Sequence, residues 1–347
     1  MRAMRAIRIF ALAFAWFLAG LLAIWAVAAL YFDLPFPWLR IPAAVLSVFV
    51  IAAVIFAVRS RWLRWIVCVA FFAAVLVWWL SLRPSNHRAW QADVAQTAWA
   101  ETNGDRVTIH NFRDCDYRAE FDYTCRWETK TVDLSEIRGV DLFFTHWGSP
   151  WIAHPILSFQ FGGNDHVAFS IETRKEIGEG YSAIRGFFRQ YELIYIVTGE
   201  RDVIRLRTNY RTAEEVSLYH LKATREKSRA VFLEYIRRVN QLHDHPEWYN
   251  ALTSNCTTNI YAEIAAANGA SPGRMVWRSP LNGKDDEKAY YKGALAGNLP
   301  YPELERRALI NPAAQAADKD PDFSSAIRKG RPGFDDDSNA APNKPPR

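Results

Sequence analysis

The chain has no internal repeat, no glycine loop of the kind that cradles phosphate and no dinucleotide-binding fingerprint, which excludes nucleotide chemistry built on such loops. Its cysteines and histidines do not fall at zinc-ligand spacings. Neither a metal nor a cofactor is therefore expected. Charge of one sign is also scarce: the net charge is +5 over 347 residues, much of it from arginines beside apolar runs and from a Lys/Arg-bearing end. Elsewhere bases alternate with acids, as in Glu172, Arg174, Lys175 and Glu176, which reads as a solvated face and leaves nucleic acid out as a partner. Cysteine is sparse, limited to Cys68, Cys115, Cys125 and Cys256.

Apolar sequence, by contrast, dominates the first quarter. Ile7 to Phe32, Ile41 to Val58 and Trp62 to Leu82 are each near or above the roughly 18 to 20 residues that cross a hydrocarbon core. They predict three transmembrane helices (7–32, 41–58 and 62–82) in a membrane anchor spanning 1–85, and so an integral membrane protein. A cleaved signal peptide fits poorly, because its apolar core is shorter and two more such runs follow here. Arg2, Arg5 and Arg8 precede the first run and Arg59, Arg61 and Arg64 crowd the second turn, whereas the first turn holds only Arg40. By the positive-inside rule the N-terminus is cytoplasmic, and the chain beyond Leu82 lies on the outer side of the membrane. Trp78, Trp79 and Trp90 suit the outer interface belt.

Residues 86–310 are long enough for one domain with a sizeable core. Short alternating runs predict strands at Val107–Asn111, Thr124–Val132, Val140–His146, Ile156–Phe161, Val167–Thr173, Leu193–Val197, Val203–Thr208 and Val216–Leu221. Ser182–Tyr191 reads as a short helix, Ala223–His243 carries helical spacing, and another helix runs through Ile260 to Asn268. The class is α+β, strands first and helices last. The segment 311–347, rich in Ala, Asp, Pro, Lys and Gly, is expected to be a disordered tail without chemistry. Cys115 and Cys125 lie in two adjacent strand-like runs and suit a cross-strand bridge in an oxidising compartment, with two free thiols as the other reading. No pattern specifies an oligomeric state.

Cys256 is then the odd thiol of the exported part, preceded by Thr253, Ser254 and Asn255 and followed by a helical run. First turns of helices, with unpaired N–H groups and the positive end of the dipole, stabilise thiolates and often hold thiol nucleophiles. From local sequence alone a small buried side chain is an equal reading. A thiol nucleophile needs a base, and histidine is suited to that work. His154 heads a strand that a Gly162-Gly163-Asn164-Asp165 turn joins to the strand begun by His166, so the two rings are expected near the same end of a hairpin, one orienting the other.

Strand-borne His first, a second polar residue a hairpin away and Cys late in an Asn-Cys context resembles the circularly permuted NlpC/P60 group of papain-like folds, which includes the lecithin retinol acyltransferase family. More closely, the blocks Asp141–His154, Phe169–Arg174, Phe187–Tyr195 and Glu247–Asn259 resemble the DUF4105 family, also described as the periplasmic domain of Lnb, a lipoprotein N-acyltransferase. The resemblance implies a papain-like antiparallel sheet with packed helices, Cys256 as nucleophile and His154 as base. The third position falls to His166, with Glu172 or Ser170 as the other choices, and Asn255 or the backbone N–H of Cys256 would serve an oxyanion hole. The implied activity is acyl transfer through a thioester in the periplasm, at a bacterial inner membrane, with a membrane lipid or lipoprotein as substrate. The competing readings are a cysteine peptidase or amidase of the cell envelope and a non-catalytic binding module.

Overall fold

Runs of apolar residues bounded by arginine and proline become three long helices, α1 (Arg2–Asp33), α2 (Pro37–Ala57) and α3 (Arg61–Ser81), each long and apolar enough to cross a membrane. The structure is a computed structural model and describes residues 2–271 and 281–334. The chain divides into two compact units, the first made of residues 1–84 with 182–191 and the second of 85–181 with 192–347. In the first unit the Asp33 carboxylate accepts hydrogen bonds from Trp79 Nε1 at 2.7 Å and Gln190 Nε2 at 2.8 Å, and Phe188 packs on Phe32 with ring centroids 4.8 Å apart. The short helix expected over 182–191 is reduced to a single 3-10 turn at Arg185–Phe187, after which Arg189 N and Gln190 Nε2 donate to Asp33 of the helix bundle instead of continuing the turn.

The second unit is built on one sheet of eight strands: β1 (Trp99–Asn103), β2 (Arg106–Ala119), β3 (Asp122–Asp133), β4 (Gly139–Trp147), β5 (Ala153–Gln160), β6 (His166–Arg174), β7 (Glu192–Thr198) and β8 (Glu214–His220). The order is β1-β2-β7-β6-β5-β4-β8, with β3 paired to β2. The sheet is mixed and not purely antiparallel as expected, since β2 meets β7 in parallel at Arg113 and Thr198. Cys115 and Cys125 face each other in the β2–β3 register and form a disulfide.

Helices cover both faces. Helix α5 (Arg225–Asp244) lays Phe232 and Tyr235 against Phe159 and Phe169, with Phe159 and Phe232 ring centroids 5.2 Å apart, and α6 (Cys256–Ala267) packs beside it. On the other face the expected strand at Val203–Thr208 is instead α4 (Glu200–Arg205) running into a π-helical turn, Leu206–Tyr210. The alternation that reads as a strand is misleading because its polar members are buried and paired: Arg205 bonds Asp116 at 2.5 Å and Arg207 bonds Glu172 at 2.7 Å.

Helices α7 (Asp285–Tyr291) and α8 (Tyr301–Ala308) flank the sheet edge, where Leu295, Leu304 and Ala308 pack with Phe144 and Tyr219. The segment expected to be disordered from residue 311 forms α9 (Asn311–Ala316) and α10 (Phe323–Ala326) and is ordered through Phe334. Ile310, Ala314, Ala317, Phe323 and Ile327 join Phe143, Ile156 and Val203 in one core cluster, too sparse and too alanine-rich to be conspicuous by composition. The remainder of that segment, 335–347, lies outside the described residues.

Candidate functional site

Helix α6 starts where its sequence says it should. Asn255 is the N-cap: its side-chain oxygen accepts from Thr258 N at 2.9 Å, and Thr258 Oγ1 accepts from Asn255 N at 2.8 Å, a reciprocal capping box. Cys256 thus occupies the first helical position, half-buried and unbonded to another cysteine, where a backbone N–H has no partner within the helix. The Asn255 amide nitrogen donates to Ala251 O at 2.8 Å. Its side chain is therefore spent on the cap, which leaves the Cys256 N–H as the donor available to an oxyanion.

His154, near the start of β5 and 7% exposed, lines the same cavity as this thiol and feels its charge. Its Nε2 lies 2.9 Å from Ser170 Oγ and 3.3 Å from Glu172 Oε1, both on β6. The ladder between β5 and β6 runs only from Leu157 and Phe169 to Gln160 and His166. Beyond Leu157 the direct pairing stops, and the register continues to His154 opposite Glu172. The expectation that His154 and His166 share an end was therefore an error of register: in an antiparallel hairpin the head of one strand meets the tail of the other.

His166 sits by the turn, where Nδ1 meets Asn164 O at 3.1 Å. It belongs to a separate group in which its ring, Asp141 and Glu200 bring ligand-type atoms within 4.8 Å of one another. The cation of that group is Arg328, which bonds Asp141 at 2.6 Å and Glu200 at 2.5 Å. Burial would raise the Glu200 pKa, but Arg328 holds it down to about 2.

A residue that sequence reading missed completes the candidate site. Arg207, buried on the π-helical turn, donates to Glu172 Oε1 at 2.7 Å and to Glu214 Oε2 of β8 at 3.1 Å. Ser170 Oγ also donates to Glu172 Oε1, at 2.6 Å. Burial opposes ionisation of Glu172, but His154, Arg207 and these hydrogen bonds hold it well below the usual carboxylate range. Burial likewise opposes a charged His154, yet Glu172 and the thiol outweigh it, against the repulsion of Arg207, and the ring rises to about 9. The only sequence signal for Arg207 was a charged residue in an alternating run, which reads as solvent-facing.

Cys256, His154, Glu172 and Arg207 open into a cavity of about 700 Å³ that Trp147 and the buried Tyr249 also line. Such an arrangement can activate a thiol, hold the imidazolium that forms and return its proton to a leaving group. Residues 123–288 match the family model described as the Lnb N-terminal periplasmic domain. No curated protein and no solved structure matches the chain. Residues 123–288, which hold Cys256, His154 and Glu172, are thus similar to the Lnb N-terminal periplasmic domain family, and the three helices that precede them are long and apolar enough to cross a membrane.

Proposed function

We propose that this protein is a cysteine-dependent acyl-transfer enzyme of the cell envelope, with its N-terminus cytoplasmic and its domain periplasmic. The observation that carries the reading is the helix-borne Cys256 beside a strand-borne His154 whose Nε2 is held by Ser170 and Glu172, with Cys256, His154 and Glu172 lining one cavity. The same order along the chain, His before Cys, suits a permuted papain-like arrangement. The disulfide fits the oxidising compartment that the arginine distribution assigns to this domain.

In this mechanism His154 already holds the proton of the Cys256–His154 pair on the ring nitrogen that Glu172 does not engage, and the Cys256 sulfur attacks an ester carbonyl of a lipid or lipoprotein. The oxyanion takes the Cys256 backbone N–H. Collapse breaks the ester C–O bond, His154 protonates the departing alkoxide, and a thioester remains on Cys256. An amine or alcohol acceptor then attacks the thioester, gives its proton to His154 and leaves with the acyl group, while the thiol is restored. Three apolar helices would tether such a site to the membrane that holds acyl donors.

The test is to incubate the purified protein with bilayers containing labelled diacyl lipid and lipoprotein, then search the Cys256 peptide for an acyl mass. An adduct absent from Cys256→Ser supports the reading. A folded protein that forms no adduct and transfers nothing refutes it, and release of a peptide or amide product would identify an envelope hydrolase instead.

A further inference from the structure

We propose that Asn282 is a positioning residue that sets the distance between the thiol of Cys256 and the ring of His154; this rests on reading those two as the catalytic pair. Asn282 precedes α7 and is 3% exposed. Its Oδ1 accepts from Ala153 N at 2.9 Å and its Nδ2 donates to Ala153 O at 2.6 Å. Ala153 is the residue before His154, on the stretch of β5 where pairing with β6 has stopped. The side-chain amide thus supplies both bonds that a neighbouring strand would make. The same Nδ2 donates to Thr257 Oγ1 at 2.5 Å, the residue after Cys256. One planar amide therefore joins the head of the histidine strand to the first turn of the cysteine helix.

The neighbouring glycine keeps that amide in place. Gly283 N donates to Trp151 O at 2.9 Å, and His146 Nε2 donates to Gly283 O at 2.9 Å. A Cβ at Gly283 would come within 2.3 Å of Pro150 O and 2.5 Å of Trp151 C, both backbone atoms, so only glycine allows this approach. The pair Asn282-Gly283 is accordingly fitted against the loop that leads into His154. A thiol and its base lose about 100-fold in rate when displaced by roughly 1 Å, so a rigid link between their elements has a direct kinetic consequence.

The experiment follows alkylation of Cys256 by iodoacetamide against pH in the full-length protein, read by mass spectrometry on the Cys256 peptide, with thermal unfolding recorded for each variant. The wild type is expected to react rapidly below neutral pH, and His154→Ala to lose that acid limb. Asn282→Ala is expected to unfold cooperatively but to lose the limb as well, slowing about 10- to 100-fold at pH 6. Thr257→Val, which removes only the hydroxyl, should shift the profile in the same direction by less. If Asn282→Ala does not fold, Thr257→Val decides. A wild-type profile in a folded Asn282→Ala, or in Thr257→Val when that alone folds, overturns the positioning role while leaving the pair intact. Absence of any His154-dependent limb in the wild type overturns the pair itself, and the positioning role with it.

Discussion

At the scale of single residues the site turns on how one carboxylate is shared. Glu172 receives His154, Ser170 and Arg207, and its charge is what keeps a buried imidazole protonated. The folded His154 pKa of about 9 lies above the ordinary 6.5, so the ring's contribution to stability is fully present below pH 6.5 and is lost as pH rises through 9. Glu172→Gln removes the attraction and leaves burial in control. We expect denaturant unfolding of the wild type to weaken between these pH values and the slope to be absent in Glu172→Gln, whose acyl-adduct formation should also fall by at least about 10²-fold. An unchanged slope would show that the carboxylate does not hold the imidazolium. Cys256 and its cap were legible from sequence because capping is local chemistry. The role of Glu172 over His166 was not, since both stand on the same strand and only the register separates them.

At the scale of elements, two buried charge groups decide how secondary structure is used. Residues 203–208 alternate like a strand but lie in α4 and the π-helical turn after it, which aims Arg207 at Glu172, while Asp202 of the same helix meets Arg113. From the far end of the chain, Arg328 neutralises Asp141 and Glu200, both with side chains 0% exposed. Arg328→Met would leave two buried carboxylates without their cation. We expect a loss of about 3–5 kcal/mol in denaturant unfolding, the scale for breaking a buried ion pair. A loss below about 1 kcal/mol would mean that water reaches the group. The C-terminal helices are part of this core for the same reason: their small apolar residues close the sheet face through Phe323 and Ile327.

At the scale of the whole molecule, the anchor and the exported domain make different demands. The segment 182–191 packs its Phe188 with Ala26, Ala29 and Val75 of the helix unit. A chain starting at Ser85 should therefore retain its sheet signal in circular dichroism yet self-associate unless detergent is present, as sedimentation would reveal. Monomeric behaviour without detergent would count against that packing. Replacing both Cys115 and Cys125 by serine should cost about 2–3 kcal/mol without changing the fold, as expected for a bridge closing a short loop. Equal unfolding midpoints for the oxidised and serine forms would argue against a stabilising bridge.

Sequence alone determined the three apolar helices, most of the strands, the cap that places Cys256 and the pairing of Cys115 with Cys125 as one of two readings, because these rest on local periodicity, capping and composition. Tertiary structure decided that Glu172, and not His166, faces His154, that Arg207 and Asn282 stand at the site, and that residues 311–334 belong to the core. Those outcomes depend on register and on buried charges meeting across 35 to 187 positions of chain. Local patterns carry no record of such distances, and a buried ion-paired residue looks the same in sequence as a solvated one.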